Sequence, residues 1–448
     1  MSEVLRSVGL DVGTTSTQMI LSELTVENKA SGFAVPEMEI VDRKIIYKSP
    51  VHFTPLLDER RVDGDALRHL VEQEYRAAGI SRETVDTGAV IITGETSRKG
   101  NARTVLEALT DLAGDFVVAT AGPDLESVLA AKGAGADRLS ETLGKPVVHM
   151  DIGGGTSNLA LIRDGKILRT TCLNVGGRLI KFDKDGIISY ISPVLRGIWE
   201  GKIGETTDPE KLKDVAKILV QALEMAVGLR PPTKLQEDLT TKELTSRWEI
   251  PEGAVISFSG GVADCIDAEH PLQEFGDLGP ILGKAIRESR LCEDQYFLGQ
   301  ETIRATVIGA GCHSAQLSGS TVFQQNIAYP LKNVPVVFPQ PKAECIRKAL
   351  ETQETAAMMA LTGVESPTYA QVAALAEEIL RGTEGPILVC LEQDMAKALG
   401  QALAVRSGPG RQILCIDRVR IPEGSYLDVG APVGPAMPVV VKTLILSK

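Results

Sequence analysis

Apolar residues at Val8–Leu10 and Met19–Leu21 flank the run Val12-Gly13-Thr14-Thr15-Ser16-Thr17, a pattern that predicts strand, turn and strand. Lys44 to Pro55 reads as a further strand and Asp63 to Ala78 as a helix with a polar face. Ala89 to Gly94 is a short buried strand, Asn101 to Leu112 a helix, and Phe116 to Ala119 a continuation of the sheet. Asp124 to Ala136 is a helix rich in small residues. The opening pattern then recurs. Pro146 to Ile152 leads into Gly153-Gly154-Gly155-Thr156, followed by Ser157 to Ile162, and an Asp164-Gly165 turn opens a third strand at Lys166 to Cys172.

Two strands that end in aspartate and enter a glycine–threonine hairpin imply a duplicated unit. The copies lie about a domain apart, so they belong to different lobes. Residues 181 to 250 are more polar and read as a helical insertion, after which Gly253 to Phe258 returns to a sheet and ends in Ser259-Gly260-Gly261. Ala305 to Ser314 is a second small-residue helix. From about Asn333 the chain alternates helices (Ala343 to Leu361, Met395 to Val405) with strands (Ile387 to Cys390, Ile413 to Ile416, Val439 to Leu446). The expected organisation is α/β: lobe I over 1–136, lobe II over 146–318 with the insertion, and an appended α/β module over 333–448.

The chemistry sits at the repeated turns. Gly13, Thr14 and Thr15 in the first and Gly153, Gly154, Gly155 and Thr156 in the second can aim backbone N–H groups and hydroxyls at phosphate oxygens. Asp11 and Asp151 cannot face phosphate themselves, but they can hold water molecules of a hydrated Mg²⁺ that bridges the phosphates. Ser259, Gly260 and Gly261 form a turn against which a planar base can lie. Glu126 stands at the start of the first small-residue helix. It is either a first-turn acid that favours the helix dipole or the group that orients an attacking water. Small residues let the two helices cross closely and shear, as a hinge requires. Gly309-Ala310-Gly311 lacks the third glycine of a dinucleotide fingerprint, and no G-x-x-x-x-G-K-[ST] occurs.

Composition removes alternatives. A net charge of −12 disfavours a nucleic-acid surface, which needs clustered Lys and Arg. No apolar run approaches the ~20 residues of a membrane span, and Glu3 interrupts any cationic-then-apolar leader, so an unexported, cytoplasmic protein is expected. The seven cysteines and five histidines are scattered without C-x-x-C or H-x-x-x-H spacing, which points to reduced buried thiols rather than a zinc site.

The series of first loop (Gly9 to Thr15), connecting helix (Asp124 to Gly135), second loop (Asp151 to Thr156), Gly260-Gly261 and second connecting helix (Ala305 to Ser314) resembles the actin, heat-shock chaperone and sugar-kinase superfamily over residues 6 to about 318. The whole chain resembles the ethanolamine ammonia-lyase reactivating factors, whose signatures Ile92 to Lys99 and Val439 to Leu444 are similar to. That resemblance implies two ribonuclease-H-like, actin-like ATPase lobes around a nucleotide cleft, with ATP and Mg²⁺ as cofactors. It implies Asp11 and Asp151 as the carboxylates of the metal's water shell and Glu126 as the water-orienting residue. The implied partner is ethanolamine ammonia-lyase, from which damaged cobalamin is released so that intact cofactor can bind; a bacterial microcompartment is an implied site of association. The oligomeric state stays open, a homodimer included. A small-molecule kinase of the same superfamily is the alternative, although no sugar-kinase-type aspartate stands between the two loops. No D-x-H-x-x-G pattern for a base-on corrinoid is present.

Overall fold

The computed structural model describes residues 3–13, 16–28, 38–58, 61–81, 84–92, 117–120, 123–241, 251–272, 274–313, 315–317, 322–329, 331–353, 355–419, 421, 425–432 and 437–443. The expected helix at 101–112 and the stretch 93–99 lie outside them.

Lobe I begins with a hairpin, β1 (Glu3–Val12) and β2 (Ser16–Asn28), extended by β3 (Met38–Lys48) and the short β4 (His52–Phe53). A ribbon of β5 (Leu56–Asp58) and β6 (Arg61–Val62) leads to α1 (Gly64–Ala77), whose N-cap Asp63 accepts from the Ala66 N–H at 3.0 Å. β7 (Thr87–Ile92) and β8 (Val117–Thr120) complete the sheet. Its order is β3-β2-β1-β7-β8, with β1 antiparallel to β2 and parallel to β7.

α2 (Pro123–Gly133) and α3 (Ala136–Leu143) follow, so the expected single helix over 124–136 is split in two at Gly135, which is left-handed at φ 77°. Lobe II is built from β9 (Val147–Ile152), β10 (Ser157–Arg163), β11 (Lys166–Leu173), β14 (Val255–Ser259) and β15 (Tyr296–Leu298). The order is β11-β10-β9-β14-β15, with β9 antiparallel to β10 and parallel to β14. Order and direction repeat those of lobe I strand for strand. β9 is buried at every position, as a strand covered on both faces must be.

Between β11 and β14 the chain forms the ribbon β12 (Ile180–Phe182) and β13 (Ile188–Ile191), then α4 (Pro209–Ala226) and α5 (Lys234–Leu239). The insertion is therefore part strand. Leu212, Leu219 and Leu223 of α4 pack into the same core as Met150 and Phe258 of the sheet, together with Leu282 of α6 (Gly279–Arg287).

α7 (Ala305–His313) returns across lobe I: Val307, Ile308 and Cys312 pack on Ile20, while Ser7 donates to the Gly311 carbonyl at 2.5 Å. Ala131 of α2 packs on Val147, Ala160 and Ile162 of lobe II. Each connecting helix thus lies on the sheet of the opposite repeat.

The third sheet takes up β16 (Ala315–Leu317) and β17 (Phe323–Gln325), upstream of the expected start at 333. Strands of three residues are too short to show a period. β18 (Leu331–Val337), β19 (Met358–Leu361), β20 (Ile387–Leu391) and β21 (Ile413–Asp417) run parallel, with β22 (Ser425–Val429) and β23 (Pro438–Thr443) at one side. The order is β16-β23-β22-β18-β19-β20-β21-β17. The helix expected over 343–361 is corrected here: α8 (Ala343–Glu351) stops at Thr352, and Met358–Leu361 pair between β18 and β20 as a buried strand. α9 (Tyr369–Gly382), opened by a Thr368–Gln371 capping box, and α10 (Ala396–Ser407) cover this sheet.

Candidate functional site

The two hairpins match position for position. Gly13 N–H donates to the Ser16 carbonyl and Gly153 N–H to the Thr156 carbonyl, both at 2.9 Å, so the same closing hydrogen bond shapes both turns. Thr54 beside β4 donates to the Gly13 carbonyl at 2.8 Å, and Gly177 N–H donates to the Gly153 carbonyl at 3.0 Å, holding each loop from behind.

Both turns line one cleft. Its walls include Asp11, Gly13, Glu126, Asp151, Gly153, Gly154, Gly155, Thr156, Gly260 and Gly261. Thr14 and Thr15 lie outside the described residues. Ser259 does not line the wall; its hydroxyl donates to Asp151 Oδ1 at 2.5 Å. Gly260 is left-handed at φ 85°, and a Cβ there would run into the backbone of Ile152, so only glycine lets this turn lie against the end of β9.

Asp151 is held at two points: Ser259 on Oδ1 and Thr306 of α7 on Oδ2 at 3.4 Å. Burial pushes its carboxyl up to about 6, and these two hydroxyls oppose the shift. Behind Ser259 stands His149, fully buried, with Nε2 2.9 Å from Ser259 Oγ and Nδ1 2.8 Å from Ser257 Oγ. Burial lowers its pKa to about 3, so the ring is neutral. Because Ser259 gives its proton to Asp151, His149 Nε2–H donates to Ser259 and Nδ1 accepts from Ser257.

Sequence reasoning missed several lining residues: Gln18, Asn158, Arg178, Asp264, Asp277 and Thr306. Gln18 and Asn158 had a signal, since each stands at the same distance after its aspartate. Arg178 and Asp277 come from loops far apart in sequence, with Arg178 Nε donating to Asp277 Oδ2 at 3.1 Å.

The cleft's charge bears on what it can hold. Among the described residues that line it, Asp11, Glu126, Asp151, Asp264 and Asp277 are acids, and Arg178, already paired, is the cation. A polyphosphate needs a positive partner in such surroundings. The acceptor-rich set fits a hydrated divalent cation, whose waters donate hydrogen bonds.

Twin sheets of order 3-2-1-4-5, each with a glycine-rich hairpin on its first two strands, and a cleft between them define a protein of the actin-like ATPase fold. The chain matches the family of ethanolamine utilisation protein EutA over residues 3–447, and it belongs to that family. It is 40% identical to the ethanolamine ammonia-lyase reactivase EutA of Salmonella typhimurium, over 98% of each chain. It is 38% identical to the protein of the same name from Escherichia coli, again over 98% of each. Among solved structures it is similar to the Ppx/GppA family member of Aquifex aeolicus, at 12% identity and a TM-score of 0.43, covering 68% of this chain and 97% of that one.

Proposed function

We propose that the chain is an ATP-driven reactivating factor for ethanolamine ammonia-lyase, hydrolysing Mg·ATP in the cleft and loosening the lyase so that damaged cobalamin leaves. The observation that carries the nucleotide reading is the pair of matched hairpins lining one cleft with Asp11 and Asp151 at their bases. The family match over nearly the whole chain supports the partner, and it does not favour the small-molecule kinase alternative.

In this reading the N–H groups of Gly13 and of Gly153 to Thr156 cradle the phosphates, and the base lies against Gly260 and Gly261. Asp11 and Asp151 would hold the Mg²⁺ through its waters; when bound, the ion neutralises charge developing on the phosphoryl oxygens. Glu126 orients the attacking water. The chain's own contribution is placement: Ser259 and Thr306 fix the aim of Asp151, and the turn geometry fixes the amides. α7 carries Thr306 and packs on lobe I, so a change around the phosphates reaches both lobes through the α2–α7 crossing.

The test is direct. Purified chain with ATP and Mg²⁺ is added to ethanolamine ammonia-lyase blocked by an inactive cobalamin, in the presence of adenosylcobalamin, and deamination of ethanolamine is followed. Recovered turnover that requires ATP supports the proposal; no recovery with active lyase controls overturns it.

A further inference from the structure

Across β1 and β2, Asp11 pairs directly with Gln18; across β9 and β10, Asp151 pairs directly with Asn158. Directly opposed residues of an antiparallel pair project from the same face of the sheet. Each candidate metal carboxylate is thus accompanied by a carboxamide, and all four residues line the cleft.

The amides are deeply buried, Gln18 3% and Asn158 2% exposed. Gln18 Nε2 donates to the Ile303 carbonyl at 3.1 Å, which fixes which end of that amide is oxygen. Gln18 Oε1 and Asn158 Oδ1 have no hydrogen-bond partner among the described residues. A buried acceptor left unpaired is costly, so two such groups at equivalent positions call for a donor. Phosphate oxygens accept and cannot serve. Arg178 is engaged with Asp277. Water molecules on a divalent cation are strong donors, and the neighbouring aspartates already make the site attractive to one.

We propose that Gln18 and Asn158 are positioning residues of the metal site, their amide oxygens accepting hydrogen bonds from the water shell of the nucleotide-bound divalent cation, one from each lobe. The inference rests on the metal reading of the cleft. It adds a function for a residue pair at the same place in both repeats, and it makes the hydrated ion the object that two carboxylate–amide pairs grip from opposite sides. Because the Gln18 amide is also tied to Ile303 at the foot of α7, its grip on the ion is linked to the helix that joins the lobes.

The experiment measures binding, not turnover. ADP affinity is determined by calorimetry on the full chain over a range of free Mg²⁺ and in EDTA, for wild type, Gln18→Leu, Asn158→Leu, Gln18→Glu and Asn158→Asp. Each leucine variant is expected to lose about tenfold of the Mg²⁺-dependent gain in affinity, with the EDTA affinity unchanged. The acidic variants, which keep an acceptor oxygen at the same place, are expected to retain or raise that gain. A wild type whose ADP affinity ignores Mg²⁺ would overturn the metal reading itself. A Mg²⁺-responsive wild type with equally responsive leucine variants would overturn the assignment of the amides alone. If the leucine variants fail to fold, the acidic pair decides: a Mg²⁺ gain lost in both Gln18→Glu and Asn158→Asp overturns the proposal, and a gain retained upholds it.

Discussion

Gly133 of α2 lies against the carbonyl of Ala305, and Gly309 of α7 lies against the carbonyl of Leu129, so the two helices meet backbone to backbone at reciprocal i, i+4 positions. A Cβ built on either glycine would overlap the facing carbonyl. The closest approach is between backbones, and Leu129 of α2 and Ala310 of α7 pack in one apolar cluster beside it. Gly133→Ala and Gly309→Ala are each expected to destabilise the chain by about 1–3 kcal/mol through overpacking, read as a lower urea midpoint. Because moving the helices apart relieves both clashes, the double variant should cost less than the sum of the singles. Strict additivity would mean that the glycines do not share one contact.

Glu126 stands in the first turns of α2 and lines the cleft. If it orients water, Glu126→Gln keeps the shape and a hydrogen-bonding oxygen while removing the charge. Hydrolysis should slow about 10²-fold with ADP affinity within about twofold of wild type. A single-turnover assay beside a binding titration separates the two quantities. An unchanged hydrolysis rate would leave Glu126 as a favourable acid near a helix start.

The pH dependence follows from Asp151. Burial holds its carboxyl up near about 6, whereas His149 behind it stays neutral through this range because burial lowers its pKa to about 3. Only the ionised carboxylate can compete well for metal-bound water, so protons oppose Mg²⁺ below about pH 6. The Mg²⁺-dependent gain in ADP affinity should therefore be full at about pH 7.5 and fall close to tenfold for each pH unit below about 6. In Asp151→Asn the gain should be small and flat across the same window. A wild-type gain that persists undiminished at pH 5 would show that Asp151 does not carry the metal's waters.

Much of the lining of this cleft is legible in the sequence because glycine and aspartate at strand ends have few bland explanations when they occur twice. The pairing of Asp11 with Gln18 and of Asp151 with Asn158 is not, since strand alternation alone does not say which residue stands opposite which. That requires the register. Buried His149 was equally opaque: within Val147–Ile152 it looks like one more interior position, and its role appears only when β14 brings Ser257 and Ser259 alongside. In the third sheet, Met358–Leu361 lies too close to a strong helix pattern for periodicity to separate the two, and parallel pairing with β18 and β20 overrides helical propensity there.

Gly155 offers the cleanest separation of folding from binding. A Cβ at this position would meet nothing within 4 Å, and its φ is not in the left-handed region, so alanine fits the fold without strain. Yet Gly155 lines the cleft beside Asp151, where a backbone N–H can approach a phosphate only if no side chain intervenes. Gly155→Ala should melt within about two degrees of wild type while its ADP affinity drops about tenfold or more. Gly410, which also has open space around it but is absent from the cleft wall, is the matched control: Gly410→Ala should change neither quantity. Equal ADP affinities in Gly155→Ala and Gly410→Ala would mean that the second hairpin does not cradle phosphate, since an added methyl there would then obstruct nothing.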